Sequence, residues 1–552
     1  MSPDQKTYDI IILGSGLAGS MLGSVLARRG ADVLILDARS HPRPAQGETV
    51  SPRAAAALRA LAERYGVPEI KTLTTYDNCS QIINCTFGVR RHFGFMLHEA
   101  GRPQDPHKVN QATNGPLEDP AHLYRQDSDA YLFHAAVRYG CDTRQNYRVS
   151  GIDADAAGVT VHGADGSSYQ GSYLVDTAGR QSPAAKAFGV RDETPRFRHR
   201  SRSLSTHLIG VRDTDEVYAG RRSGDVPPKP WHSGTMSHLF DHGWVSVVPF
   251  DNEPRSRNRR CSVTLTLDPR HHPKDPGVSA AEEFAAYTAR FPDLARQFEH
   301  ALPVREWEVT EEVQYSSSRV TGDRWCLIGE SAGFVDPLFA RDLSDTAEVI
   351  NVLAWRLLRA IGDGDFSAER FAYVEQLQQG LLDFDDQLVD SAYSAFSDYP
   401  LWNAVFRIWA WGTGAGTFRL QEAMARFLSD GRDEHFTALE DVPYPGFFWP
   451  DHDGYKKLFE EMVARCQAYD AGLVPGGEAA AELYDAIGQS NFFPKYLGFA
   501  EPEVRFLHPT PKAIVKSLRW ASRQADPELK RLLVGNMKHV VRSKLRRRLG
   551  SA

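Results

Sequence analysis

Cysteine is scarce in this sequence. Its 552 residues include six cysteines, and none of them has the spacing of a zinc-ligand pair. This excludes a disulfide-rich secreted scaffold and a structural zinc site, and we expect no bound metal. The six are Cys79, Cys85, Cys141, Cys261, Cys326 and Cys466.

Long apolar runs and a large excess of one charge are also missing. No stretch is apolar over the ~18 residues that a membrane-spanning helix needs, and no secretion signal is visible. The net charge of -7 gives no reason to expect nucleic-acid binding. With 42% hydrophobic and 24% charged residues, the sequence predicts a globular cytoplasmic protein of two or three domains.

The first 37 residues contain the most specific pattern. An apolar strand, Ile10 to Leu13, runs into a turn with glycines at 14, 16 and 19, and a helix follows. In such a turn Gly14 permits the tight bend, Gly16 lets a pyrophosphate approach the backbone, and Gly19 lets the helix pack closely. Asp37 ends the next strand, where a carboxylate can hydrogen-bond a ribose. The unit predicts a dinucleotide site.

Two later strand–glycine segments resemble the FAD-binding fold of the glutathione-reductase and hydroxybenzoate-hydroxylase type. They are Tyr173 to Arg180 and Trp325 to Pro337, and Arg125 with Asp129 resembles that family's Arg-x-x-x-Asp segment. The resemblance implies FAD as cofactor, with Glu330 in place of the acid that holds the ribityl hydroxyls. The expected cofactor-binding residues are Gly14, Gly16, Gly19, Asp37, Arg125, Asp176, Gly329, Glu330 and Gly333.

The positions of these motifs predict an α/β protein: a Rossmann-like FAD-binding domain, an interleaved mixed-sheet substrate domain and a helical C-terminal region. The FAD-binding domain spans 1–362, mainly 8–50, 120–195 and 320–362. The covering sheet takes about 80–115 and 200–318, and residues 363–552 are helical. The segment Trp411 to Gly416 lies in a helical pattern, so we interpret it as a helix break or packing turn rather than a nicotinamide site.

The resemblance narrows to flavin-dependent halogenases, especially the phenol and pyrrole branch, at two segments. These are Phe334-Val-Asp336-Pro337-Leu-Phe339-Ala340-Arg341-Asp342 and Gly243-Trp244-Val-Ser246-Val-Val248-Pro249. In that family reduced flavin and dioxygen oxidise halide, and hypohalous acid reaches a lysine beside the substrate. The resemblance implies a small-molecule or carrier-tethered substrate and a separate flavin reductase, since no second dinucleotide domain is visible.

Each hallmark of that family is altered here. Ser246 replaces the second tryptophan of the Trp-x-Trp-x-Ile-Pro motif, and Val248 its isoleucine. In the Phe-x-x-Pro-x-x-Ser-x-Gly motif, Ala340 stands for serine and Asp342 for glycine. Aligning Cys85 to Phe93 with the lysine strand puts Thr86 at the lysine position. Lys71 is a displaced alternative.

The change to Asp342 bears on halide binding. A carboxylate about 5 Å from chloride, at an effective dielectric of roughly 20, opposes binding by about 3 kcal/mol. We therefore expect an FAD-dependent monooxygenase or oxidase that does not halogenate. Its candidate catalytic positions are Trp244, Ser246, Thr86 and Asp342.

Two other functions remain open: a working halogenase whose halide and lysine contacts lie elsewhere, and a non-redox enzyme that uses reduced FAD as an electrostatic or structural element.

Several further residues are weaker candidates. A histidine in the covering domain can act as acid or base near pH 7. The neighbouring arginines Arg90 and Arg91 can bind a carboxylate or phosphate. The basic, amphipathic end of the helix after Pro527 can dock an acidic carrier or an anionic membrane, although a solvated helix end is the simpler interpretation. The histidine and arginine candidates are His92, His98, His232, His238, Arg90 and Arg91.

Overall fold

A computed structural model describes residues 6–114, 119–219, 226–533 and 535. The basic end of the last predicted helix lies outside these residues. Within the described ranges, no helix combines the length and hydropathy needed to cross a bilayer.

The strands alternate with helices over the first third of the chain and cluster again between residues 200 and 330. In chain order they are β1 (Thr7–Leu13), β2 (Val33–Leu36), β3 (Gly88–Val89), β4 (His92–Leu97), β5 (Val109–Thr113), β6 (Ala121–His122), β7 (Asp142–Arg144), β8 (Val149–Ala154), β9 (Val159–Gly163), β10 (Ser168–Asp176), β11 (Arg202–Ile209), β12 (Thr235–Phe240), β13 (Gly243–Pro249), β14 (Cys261–Leu267), β15 (Leu302–Pro303), β16 (Glu308–Thr310), β17 (Thr321–Gly322), β18 (Trp325–Leu327) and β19 (Phe506–Leu507).

The longest helices lie after residue 340. In chain order the helices are α1 (Leu17–Arg28), α2 (Pro52–Tyr65), α3 (Pro68–Thr72), α4 (Tyr76–Asn78), α5 (Arg125–Tyr139), α6 (Pro183–Ala187), α7 (Thr214–Val217), α8 (Ala280–Ala289), α9 (Pro292–Phe298), α10 (Asp342–Asp363), α11 (Ala372–Ala395), α12 (Tyr399–Asp430), α13 (Glu434–Thr437), α14 (Asp453–Asp470), α15 (Gly476–Gln489) and α16 (Pro511–Gln524).

The first sheet is the nucleotide-binding sheet. Its order is β17-β18-β10-β1-β2-β7, with β9 pairing β10 and β8 pairing β9. Strand β1 is parallel to both β10 and β2, and β10 is parallel to β18. The apolar residues of β1 are buried because helices cover the sheet. The parallel order places the ends of β1, β2, β10 and β18 at one edge, where the predicted FAD residues lie.

The second sheet, called the covering sheet below, has the order β15-β11-β14-β13-β12-β4-β5-β19. One of its faces packs against the C-terminal helices through an aromatic core. Phe95 contacts Trp402 and Trp409, and Phe339 contacts Trp409. The C-terminal region also contributes β19, which pairs with β5. The predicted fold class is confirmed.

The glycine-rich segment from Trp411 to Gly416 lies inside the continuous helix α12. It is a packing site and does not break the helix. A Cβ atom on Gly412 would lie 1.9 Å from the hydroxyl of Tyr455, and one on Gly416 would lie 1.9 Å from Nη1 of Arg53.

Candidate active site

The three glycines of the first turn have different surroundings. Gly14 has φ of +96°, and a Cβ there would lie 2.7 Å from the carbonyl oxygen of Thr177. A Cβ on Gly19 would lie 2.0 Å from the carbonyl oxygen of Gly14, so both glycines are required by the protein's own packing. A Cβ on Gly16 would have Oδ2 of Asp129 as its nearest neighbour, at 4.0 Å. Gly16 therefore borders open space at the start of α1, which fits an approaching pyrophosphate.

Asp37 lies beside this turn. Its carboxylate accepts hydrogen bonds from the backbone and hydroxyl of Ser15, both at 2.7 Å, and from Arg43 at 2.8 and 2.6 Å. Burial opposes ionisation, but the hydrogen bonds and charge of Arg43 outweigh it and lower the pKa of Asp37. The carboxylate is thus held ionised at the end of β2. Its contact with a ribose remains a prediction.

Arg125 begins α5 on the other side of Gly16. It forms a bidentate pair with Asp129, with distances of 2.8 and 3.0 Å, and it donates to the carbonyl oxygens of Gln46 and Gly47. The guanidinium thereby fixes the segment after β2 against the dinucleotide turn. These positions fit the nucleotide part of FAD.

Asp176 has a different environment from the one that the sequence predicts. Its carboxylate is fully buried and accepts hydrogen bonds from two backbone amides and from the hydroxyls of Ser182 and Ser331, at 2.8–3.0 Å. All these donors belong to the protein. Asp176 therefore holds two loops together, and its contact with the cofactor stays a prediction.

Gly329 and Gly333 shape the loop after β18. Gly329 has φ of +57°, and a Cβ there would lie 2.8 Å from Oγ1 of Thr346 on α10. A Cβ on Gly333 would lie 2.9 Å from the carbonyl oxygen of Tyr315. Both glycines allow close packing, and Glu330 lies exposed between them.

Asp342 is the first residue of α10, and it is partly exposed. It follows Ala340, which has a φ of +48° that non-glycine residues rarely adopt. Desolvation by the surrounding protein is the main cause that raises the pKa of Asp342 well above its ordinary value. The nearby carboxylates of Glu330, Asp345 and Asp385 raise it further, and Arg125 opposes them. These surroundings therefore disfavour the ionised form of Asp342, whereas the sequence led us to expect a fixed negative charge.

Trp244 belongs to a buried polar network centred on Asp336. The indole donates to the hydroxyl of Tyr393 at 2.8 Å, and that hydroxyl donates to Oδ2 of Asp336 at 3.1 Å. Ser201 donates to the same oxygen at 3.0 Å, and Nε2 of His199 lies 3.2 Å from it. The network joins the covering sheet, the loop before α10 and helix α11. Tyr393 and His199 had no sequence signal, because their partners come from distant segments.

Ser246 lies two residues after Trp244 on the same face of β13, and it is partly exposed. Its neighbours across the sheet are Ser237 and Thr264. The neighbours of Ser246 are small and polar, and the prediction that Ser246 opens space beside Trp244 stays a prediction.

The assignment of Thr86 to the lysine position stays a prediction. Its hydroxyl hydrogen-bonds Asn84 and Asp127, both at 2.5 Å, in the turn that precedes β3. The alternative, Lys71, lies half-exposed in an ion pair with Glu63 at 2.6 Å. Neither residue forms a hydrogen bond with Trp244, Tyr393 or Asp336 in the described part of the chain.

Arg90 is a buried cation that lies between strands β3 and β4. It is fully buried, whereas its neighbour Arg91 is partly exposed and pairs with Asp119 and Glu253. Three of the candidate histidines are unsuited to acid–base work near pH 7, because burial lowers the pKa of His92 to about 4, that of His98 to about 3 and that of His238 well below 6.5.

Comparison with known proteins identifies the family. A model of the FAD binding domain matches residues 7–365. The chain is 44% identical to tetracycline 7-halogenase of Kitasatospora aureofaciens over 97% of this chain and 96% of the relative. It is 40% identical to monodechloroaminopyrrolnitrin halogenase PrnC of Pseudomonas fluorescens, over 96% and 94%. This chain belongs to the FAD-dependent halogenase family.

A solved halogenase has the same architecture. The structure of halogenase PltM in complex with phloroglucinol and FAD has a TM-score of 0.86 and 31% identity, covering 91% of this chain and 100% of that one. FAD is the cofactor of this halogenase-family protein, as predicted.

The prediction of a non-halogenating enzyme is wrong, since relatives that are similar over almost the whole chain are halogenases. That prediction relied on a negative charge at Asp342 and on Thr86 at the lysine position, and the raised pKa of Asp342 weakens the first of these two grounds.

Proposed function

We propose that the protein is a flavin-dependent halogenase that acts on an electron-rich aromatic small molecule. The observation that carries this proposal is the 44% identity to a halogenase over 97% of the chain, which includes the C-terminal helices as well as the FAD-binding part. The Asp336 network spans both parts, so the shared region includes the residues that fix Trp244.

When bound, FAD in its reduced form would supply the electrons that convert dioxygen into the oxidant of halide. This chain's residues bind and orient: Gly16 admits the pyrophosphate, Arg125 fixes the adjoining segment, and the Asp336 network holds Trp244. A free substrate is favoured over a carrier-tethered one. The relatives at 44% and 40% identity have no carrier in their names, whereas two that are named for a peptidyl-carrier substrate are 22% and 20% identical.

A separate reductase is proposed to supply reduced flavin. The glycine-rich segment from Trp411 to Gly416 is part of helix α12, so it does not form an additional dinucleotide turn. We further propose that the enzyme works in the cytoplasm, where such a reductase and its nicotinamide donor are present.

Halogenation is tested with FAD-loaded protein, NADH, an added flavin reductase, phloroglucinol and either chloride or bromide. We expect a product whose mass spectrum has the isotope pattern of the added halogen, and no such product without halide. Oxygen consumption that ends only in peroxide, with phloroglucinol and with tetracycline, pyrrole and indole substrates, would contradict the proposal.

The protonation of Asp342 predicts how halide use depends on pH. Below its raised pKa the acid is neutral and does not repel halide. As the pH rises through that pKa the group ionises, and a carboxylate about 5 Å away weakens halide binding by about a hundredfold. The KM for bromide should therefore rise in the native enzyme as the pH increases through this raised pKa, and it should stay level in Asp342→Asn. Asp363→Asn, at the exposed end of the same helix, should behave like the native enzyme. Parallel pH profiles in native enzyme and Asp342→Asn would rule out this role.

A further inference from the structure

Arg90 is a fully buried cation with an incomplete set of partners. Its Nε donates to the carbonyl oxygen of Val50 at 2.7 Å, and its Nη2 donates to the side chain of Asn114. Among the residues that the structure describes, its buried Nη1 has no hydrogen-bond partner. Asn114 also donates to the carbonyl oxygen of Arg90 at 2.8 Å, so the side chain is fixed from two directions.

No carboxylate in the described part of the chain forms a salt bridge with Arg90. The acid whose charge acts on it, Asp119, is paired with Arg91 at 3.1 Å. Burial lowers the pKa of the Arg90 guanidinium to about 9, which still leaves it charged at neutral pH. A desolvated charge without a counter-ion is unfavourable, so an anionic partner at this point would be strongly favoured.

The surroundings of Arg90 fit an aromatic ligand. The guanidinium lies 4.7 Å from the centre of the Phe93 ring, and Phe93 packs against Trp409 with ring centres 5.7 Å apart. Val50 follows closely after Gln46 and Gly47, whose carbonyl oxygens accept hydrogen bonds from Arg125. Arg90 thus lies where the FAD-binding segment and the aromatic side of the covering sheet meet.

We propose that Nη1 of Arg90 binds the ionised hydroxyl oxygen of an acidic phenol or enol, which is the substrate of this site. The inference rests on the proposed function and specifies its substrate class. An ionised hydroxyl makes its ring more electron-rich, and a fixed hydrogen bond to that oxygen orients the ring carbons at set positions. Arg90 is on this account a substrate-binding residue.

The test is a binding titration of FAD-loaded protein in a halide-free buffer, followed by tryptophan fluorescence or calorimetry. Phloroglucinol is compared with 1,3,5-trimethoxybenzene, which has the same ring and cannot ionise. A hydrogen bond to a buried charged group predicts that the native protein prefers phloroglucinol by about tenfold to a hundredfold. Arg90→Met should remove this preference, and Arg90→Lys should retain part of it.

Arg91→Gln is the matched control, because Arg91 is the neighbouring residue and already has two carboxylate partners. It should bind both compounds as the native protein does. The FAD content and melting temperature of each variant establish that it is folded. If Arg90→Met does not fold, the Arg90→Lys titration decides, since unchanged preference and affinity there would overturn the proposal.

Two other results would also overturn it. One is an Arg90→Met protein that keeps the preference for phloroglucinol, and the other, in a separate titration with bromide, is an Arg90→Met protein that loses only bromide binding, which would make halide the ligand of Arg90. The titration needs no turnover. Absence of halogenation with the expected binding pattern would refute the proposed function alone, and halogenation with unchanged binding in Arg90→Met would refute this inference alone.

Discussion

Gly16→Leu protein is expected to purify without the yellow colour of bound flavin. Any side chain at this position enters the open space beside the start of α1. A Cβ there would be 4.0 Å from its nearest neighbour, Oδ2 of Asp129. It would hold the pyrophosphate away from the backbone amides, and affinity for FAD should fall by at least about a hundredfold. The measurement is flavin absorbance per protein after dialysis and titration with FAD.

Gly362→Leu is the control for this change. Gly362 lies on the exposed side of α10, and a Cβ there meets nothing within 4 Å. That variant should retain full flavin content. Full FAD occupancy in Gly16→Leu would show that the nucleotide lies elsewhere.

The second large effect is expected from Asp336→Ala. The substitution leaves the hydroxyls of Tyr393 and Ser201 and Nε2 of His199 without their shared acceptor in a buried region. Orphaning several buried donors should destabilise the protein by about 3 kcal/mol and release Trp244 from its fixed orientation. We expect a lower denaturation midpoint, altered tryptophan fluorescence and more peroxide released for each halogenated product.

Asp153→Ala is a suitable control, because Asp153 is exposed and pairs with the partly exposed His162. Its denaturation midpoint should stay within about 0.5 kcal/mol of the native value. Tyr393→Phe isolates the link to Trp244, since it removes one hydroxyl and keeps the ring. An Asp336→Ala protein as stable as the native one would mean that the network contributes nothing.

The nucleotide turn was predictable because its logic is local. Gly14, Gly16 and Gly19 lie within six residues of one another, and their spacing states what each must do. The same holds for the fold class, since strand and glycine signals recur at intervals that place them in one sheet. Asp176 had such a local signal too, yet its four protein donors come together only when two loops meet.

The chemistry of the site was less predictable, because it depends on charges brought together from distant segments. The sequence does not show that Glu330, Asp385 and Arg125 surround Asp342, so the raised pKa of this residue could not be predicted. Thr86 was aligned by short-range similarity, whereas the buried cation is Arg90, four residues later. Burial of a charged side chain is a property of tertiary packing, and sequence periodicity favoured a solvent-facing position for at least one of the two arginines.

The pairing of β19 with β5 sets the order in which this enzyme can be completed. Phe506 and Leu507 form the edge strand beside Gln111 and Ala112, so nearly 400 residues must be synthesised between the two halves of one ladder. During translation the edge at β5 stays uncovered until almost the whole chain has left the ribosome, and exposed edges invite wrong pairing. Production of this protein should therefore depend on chaperones and growth temperature, and shortening it before residue 506 should reduce soluble yield more than loss of a surface helix would.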